Sequence, residues 1–243
     1  LYFGLIQFQV FVARRQAPSS REGIEETMKH KVHVFSFTKY SPKGEKEIEI
    51  EGDTANILQR IVLLSNVMAK AYAEEVAITL TADQGQYDKN ANEVFLEKNV
   101  VGTTDNGTRL LTEQLTIYPT DKKMNTDIAT EVKKDNINIE GMGASGDTNL
   151  KRVKFKKDVT VVIQDSEEKS KGLTEITSEG PLIIDYEKNI AHFRDNVVAK
   201  DARGTLKAQV MYVYYNRISR QVAKIVALGN VVIENLDGNK TYS

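Results

Sequence analysis

Apolar and polar residues alternate through most of this chain, the two-residue period of half-buried strands. "KVHVFSFTKY" puts Val32, Val34 and Ser36 on one face, "SPKGEK" supplies turn residues, and "EIEIEG" alternates Glu with Ile48 and Ile50, so together they predict a hairpin. The same reading makes strands of "AITLTADQGQY", "NEVFLEKNVV", "RLLTEQLTIY", "INIEGMG", "LIIDYEKN", "QVMYVYYN" and "NVVIEN", separated by Asn, Asp, Gly and Lys. One stretch points elsewhere. "NILQRIVLLSNVMAKAYAEEV" is full of helix formers and by itself predicts a helix.

An internal repeat overrules that propensity. The unit is an apolar residue, a gap, an apolar or small residue, three residues ending in Asn or Asp, then Val, a gap and a third apolar or small residue. "IVLLSNVMA", "VFLEKNVVG", "VKFKKDVTV", "AHFRDNVVA" and "IVALGNVVI" all carry it, with their key valines 33, 59, 38 and 34 residues apart. Such spacing marks alike units stacked side by side. Here the unit is a pair of strands, and the break through Asn or Asp forms a bulge or corner that returns the valine to the inner face. Residues 60–70 are therefore a strand. The fold class expected is all-β, a folded, stacked antiparallel sheet around one apolar interior.

Chemistry-bearing motifs are few. Gly141, Gly143 and Gly146 of "EGMGASGD" spell G-x-G-x-x-G, but a dinucleotide fingerprint must open a helix and "DTNLKRVKFKKDVTVVIQ" alternates instead. The glycines are expected to let a strand bend at a corner. His30 and His33 fall on opposite faces of a strand, and His192 has no catalytic pattern beside it. No Walker loop, G-x-S-x-G, HExxH or EF-hand loop occurs. "KRVKFKK" is a strand with one basic face, either a solvated surface or a phosphate contact. No enzyme, metal or cofactor is expected. An apolar interior that stays open is a binding track for something long and apolar; closed, it is only a core.

Composition adds little force. The 33 basic and 34 acidic residues nearly balance, so no field argues for nucleic acid, and the absence of cysteine excludes disulfides. "LYFGLIQFQVFVA" is apolar but shorter than the roughly 18 residues of a membrane span. It reads as a truncated membrane anchor, a first strand or a terminal scar, followed by a polar tether; residues 1–20 are assigned to anchor and tether.

"LTADQGQYDKNANEVFLEKNVVGTTDNGTRLLTEQLTIYPTDKK" resembles the periplasmic lipopolysaccharide-export proteins of the LptC and LptA type, the OstA-like domain. So does "ITSEGPLIIDYEKNIAHFRDNVVAKDARGTLKAQVMYVYYNR" with "VAKIVALGNVVIEN", and the resemblance runs over roughly residues 30–243. Residues 21–165 are more like the C component and 172–243 more like the A component, joined through "QDSEEKSKG". The resemblance implies a V-shaped β-jellyroll that carries lipopolysaccharide from the inner membrane, through the periplasm of a Gram-negative bacterium. Its implied partners are an inner-membrane ABC exporter with LptF and LptG jellyrolls at the N-terminal edge, LptA or the LptD N-terminal domain at the C-terminal edge, and the membrane itself through an N-terminal helix. Alternation then places Leu80, Val94, Leu96, Val100, Leu111, Leu115, Ile117, Val159, Val161, Phe193, Val197, Leu206, Val210, Ile225 and Val231 on the groove face, as non-directional acyl-chain contacts. Glu113 shares the parity of Leu111 and Leu115, so it lies at the rim or the register slips there.

Overall fold

The computed structural model describes residues 30–41, 43–58, 60–72, 78–148, 151–164, 173–216 and 222–242. The anchor and tether assigned to residues 1–20 and most of the "QDSEEKSKG" junction lie outside these. The described chain is one antiparallel sheet whose strands follow one another in space as in sequence. They are β1 (His30–Tyr40), β2 (Lys46–Ile57), β3 (Ile61–Ala71), β4 (Ile78–Asp88), β5 (Glu93–Thr104), β6 (Arg109–Tyr118), β7 (Lys123–Lys134), β8 (Ile137–Asp147) and β9 (Arg152–Ile163). There follow β10 (Thr174–Ser178), β11 (Leu182–Asp185), β12 (Ile190–Asp201), β13 (Gly204–Tyr215), β14 (Val222–Leu228), β15 (Val232–Asn235) and β16 (Lys240–Tyr242). The short strands β10 and β11 share one place between β9 and β12. Likewise β14 and β15 both pair with β13. The helix-prone stretch at 61–71 is strand β3, because its face buries Leu64, Val67 and Ala69 against neighbours of matching pattern.

The strands that carry the repeat bend at it. Asn66, Asn99, Asp158, Asn196 and Asn230, the Asn or Asp of the five units, all have φ between +50° and +53°. Asn and Asp tolerate this left-handed conformation better than other side-chain-bearing residues. The corner asparagines also tie adjacent strands: Asn66 Nδ2 donates to Asp53, Asn99 Nδ2 to Asp83 and Asn196 Nδ2 to Glu179, each at 2.7 Å. Asn99→Ala is expected to cost about 1–2 kcal/mol through strain and the lost hydrogen bond, and Asn99→Gly less, since glycine keeps the conformation. Urea unfolding of the two variants separates the contributions.

The bend divides the sheet into two arms that fold over each other. Arm one holds Val94 and Leu96 of β5; arm two holds Val100 and Gly102 of the same strand. Phe37 of β1 lies 5.7 Å from Tyr87 of β4, centroid to centroid, although these strands are not neighbours in the sheet. Lys134 of β7 similarly covers the ring of Tyr186, the residue after β11, at 5.6 Å. Only folding brings such pairs together, and strand twist offsets the meeting point along the stack.

Two inward assignments are corrected. Leu111 faces outward, cross-strand from Val101 and Glu131, while Leu110 and Thr112 point in. Val210 also faces outward, opposite Arg194, and Met211 and Val213 take the inner face. The cause is the corner. Inward residues step by four in a repeat strand, as from Leu96 to Val100, but by three in its partner, as from Thr112 to Leu115. Alternation counted through that odd step lands on the wrong side. The slip falls at Glu113, which is exposed and accepts a hydrogen bond from Asn99 N. In β1, Val34 occupies the corner with φ +55° and is exposed, so Val32, Phe35 and Phe37 pack inward, rather than Val32, Val34 and Ser36.

Turns at the arm tips are held by local polar contacts. Asp88 accepts from Asn90 N and Ala91 N at the start of its turn and from Arg60 Nε at 2.9 Å. The Arg60 hydrogen bond, aided by these backbone donors, holds the Asp88 carboxyl down at about 2. A depressed acid stabilises the fold above its unfolded value near 4 and loses that contribution as pH falls toward 2. Arg60→Met is therefore expected to flatten the acid limb of a pH–stability curve across that window.

Candidate functional site

The glycines of "EGMGASGD" form no phosphate cradle. They lie in β8, which leads directly to β9. Gly143 sits at the corner with φ +66°, as expected of a bend. Gly141 has another use, since a Cβ there would stand 2.9 Å from the Phe155 ring. Among the described residues no group of His, Asp or Glu is placed to hold a metal ion. His192 stacks on Tyr212 at 4.3 Å and accepts from Arg194 Nε; burial first, then Arg194, lowers its affinity for a proton.

The distinctive surface is the inner face. On arm two the cross-strand partners form one row, Ile50–Ala69–Leu80–Gly102–Leu110–Val132–Ile139–Val161–Ile176–Ala199–Leu206–Ile233, running without a polar member from β2 to β15. On arm one, Ala55–Leu64–Gly85–Leu96–Leu115 make one row. Ala144–Phe155–Leu182–Phe193–Met211 make a second. Between these two, Thr112, Thr126 and Thr130 point inward and are buried. Thr112 Oγ1 donates to Ala129 O at 3.0 Å and Thr130 Oγ1 to Ile128 O at 3.2 Å, so hydroxyls satisfy carbonyls at a corner where the β6–β7 ladder is interrupted. The packed interior divides there. Met124 of β7 belongs to one cluster and Val132 of the same strand to another.

Of the residues that alternation placed inward, Leu80, Val94, Leu96, Val100, Leu115, Ile117, Val159, Val161, Phe193 and Val197 are buried in these clusters. Leu206 is half-buried against the second cluster. Ile225 is opposite the buried Val213 but remains 39% exposed, because no strand covers the far edge of β14 among the described residues. Val231 lies between β14 and β15, half-buried. Leu110, Met211, Leu182 and Ile176 join the inner face without having been singled out. Leu182 and Ile176 sit in short strands outside the repeat; Leu110 and Met211 sit just beyond the odd step.

The arms are closed on one another. Phe155, Val94, Leu96, Leu182 and Val197 have no measurable exposure, so their side chains fill the space between the arms. At the tips Tyr72 donates to Glu49 at 2.7 Å and Lys46 pairs with the same carboxylate at 3.2 Å. Those contacts, Tyr72 foremost, hold Glu49 below its ordinary range.

The arrangement offers a long apolar face, exposed at one end through Ile225 and Ile233. Among known families, the model described as Lipopolysaccharide-assembly, LptC-related, matches residues 4–164, more than half of the chain. No curated protein matches it.

Proposed function

This chain belongs to the LptC-related lipopolysaccharide-assembly family, and on that premise we propose that its inner face carries the acyl chains of lipopolysaccharide between the two arms. Membership makes it a component of lipopolysaccharide transport, in a family of transport proteins rather than enzymes. The observation that supports the finer reading is the unbroken arm-two row, which offers hydrocarbon non-directional contact at every rung. Because the interior is already filled by side chains, lipid enters only as the arms part. The cost is the loss of arm-to-arm packing, which acyl chains replace with contacts of the same kind.

The partners follow from the edges. Among the described residues, β1 leaves one edge unpaired, facing an inner-membrane exporter in this reading, and β14 with β16 leave the other, facing an LptA- or LptD-like jellyroll. Exposed Val222, Ile225, Leu228 and Ile233 give the second edge the apolar character of a surface awaiting continuation. In this reading the chain stands in the periplasm, tethered to the inner membrane. Since β10 and β11 hydrogen-bond to β9, the strands from β10 onward continue the sheet beyond the family-matched part, and in this reading they are further rungs of one track, an A-like extension of a C-like module.

The sealed interior also favours a second reading, a scaffold whose core never opens. Photocrosslinking in cells separates the two. A light-activated residue replacing Leu96 or Phe193 is expected to capture lipopolysaccharide while the exporter hydrolyses ATP, and one replacing Leu111 or Lys154 on the outer face is not. Folded protein with an active exporter and no inward adduct would leave the scaffold.

A further inference from the structure

A crevice opens between the arms. It lies where the arm-two tips of β1–β3 meet the arm-one tips of β6–β8, with a volume of about 200 Å³. Its floor includes Ile48, Ala71 and Ile117, all members of the first buried cluster and no more than 5% exposed. Its rim carries both signs of charge, Lys46 and Lys122 beside Glu45 and Glu47, together with Tyr72. The rim is built, not loose: Glu49 receives Tyr72 and Lys46, and the Lys46 ammonium lies 5.7 Å from the Tyr72 ring centre.

We infer that this crevice is a lateral portal, where the end of a single acyl chain first wedges between the arms while its polar head stays at the charged rim. The inference rests on the lipid-carrying reading above. Chemistry selects the occupant, since an apolar floor beneath a rim of polar groups and charges of both signs matches an aliphatic chain ending in a polar head. Size sets its role. At about 200 Å³ the crevice is smaller than the roughly 300–1,000 Å³ of pockets that enclose a whole small ligand, enough for a chain end and too small to store a multi-chain lipid. Continuity does the rest, because a chain pressed past Ile48 and Ile117 is already among the residues that line the interior.

The chain has no cysteine, so single cysteines can be labelled cleanly. Glu45→Cys at the rim and Lys154→Cys on the outer face would each carry a benzophenone, and the full chain would meet lipid A in phosphatidylcholine vesicles. Adducts are expected at the rim position and not at the outer one. Plugging the crevice with Ala71→Trp, or with the exposed rim variant Lys122→Trp should the first fail to fold, is expected to slow capture by a photoreactive residue at Phe193. Capture at Phe193 with no rim adduct, or at an unchanged rate in a folded plugged variant, would mean entry through the ends and would overturn the portal alone. Absence of capture at both the rim and Phe193 would bring down the lipid-carrying reading and the portal with it.

Discussion

Phe155→Ala is expected to destabilise the fold by about 3–5 kcal/mol, the range for removing a fully buried phenylalanine. Phe155 has no exposed surface, stands between Ala144 and Leu182 across the strands, and lies over Gly141 where no side chain can approach. Those neighbours are fixed by hydrogen-bonded ladders on both sides, so the cavity has little means of collapsing. Lys154→Ala, one residue away on the outer face, is expected to change stability by less than about 0.5 kcal/mol. Urea denaturation of the pair checks both, and equal losses would contradict the assignment of faces.

Much of this was legible in the sequence because one physical constraint repeats. A strand that turns a corner needs a residue comfortable at positive φ, and asparagine or aspartate at the same place in five units marked the corner each time. That marking rescued β3 from its helical composition. The partner strands turn the same corner without such a residue. "TEQ" at 112–114 and "AQV" at 208–210 contain nothing that signals a step of three instead of four, so Leu111 and Val210 were set on the wrong face. The seal between the arms was illegible for another reason. Alternation tells which residues point inward but carries no information on how far apart two inward faces stand.

Gly204→Ala is expected to detach the end of the sheet, at a cost of order 1–3 kcal/mol from backbone strain together with the lost β15 ladder. Gly204 has φ +151°, and a Cβ there would stand 2.2 Å from Glu234 O and 3.1 Å from Asn235 Cα. Both obstacles are backbone of β15, the strand it pairs with, so no side-chain rotation relieves the clash. β15 is hydrogen-bonded only to β13 and β16, at the end of the sheet, so the damage should stay local. Limited proteolysis is expected to trim residues beyond about 215 in the variant while β1–β12 stay protected. Global unfolding instead would show that the last strands support the whole stack.

A sheet whose strands follow chain order is also a ruler. Its main path holds fourteen places, and thirteen spacings of about 4.8 Å give a reach of roughly 60 Å before coiling shortens it. Duplicating a strand pair would lengthen it by roughly 10 Å, altering only the ladder at the insertion point and the few arm-to-arm contacts that span it. Under the bridging role proposed above, gap width and protein length are coupled in a way that gene duplication can tune in whole steps, so a wider compartment is matched by adding pairs rather than by redesigning a core.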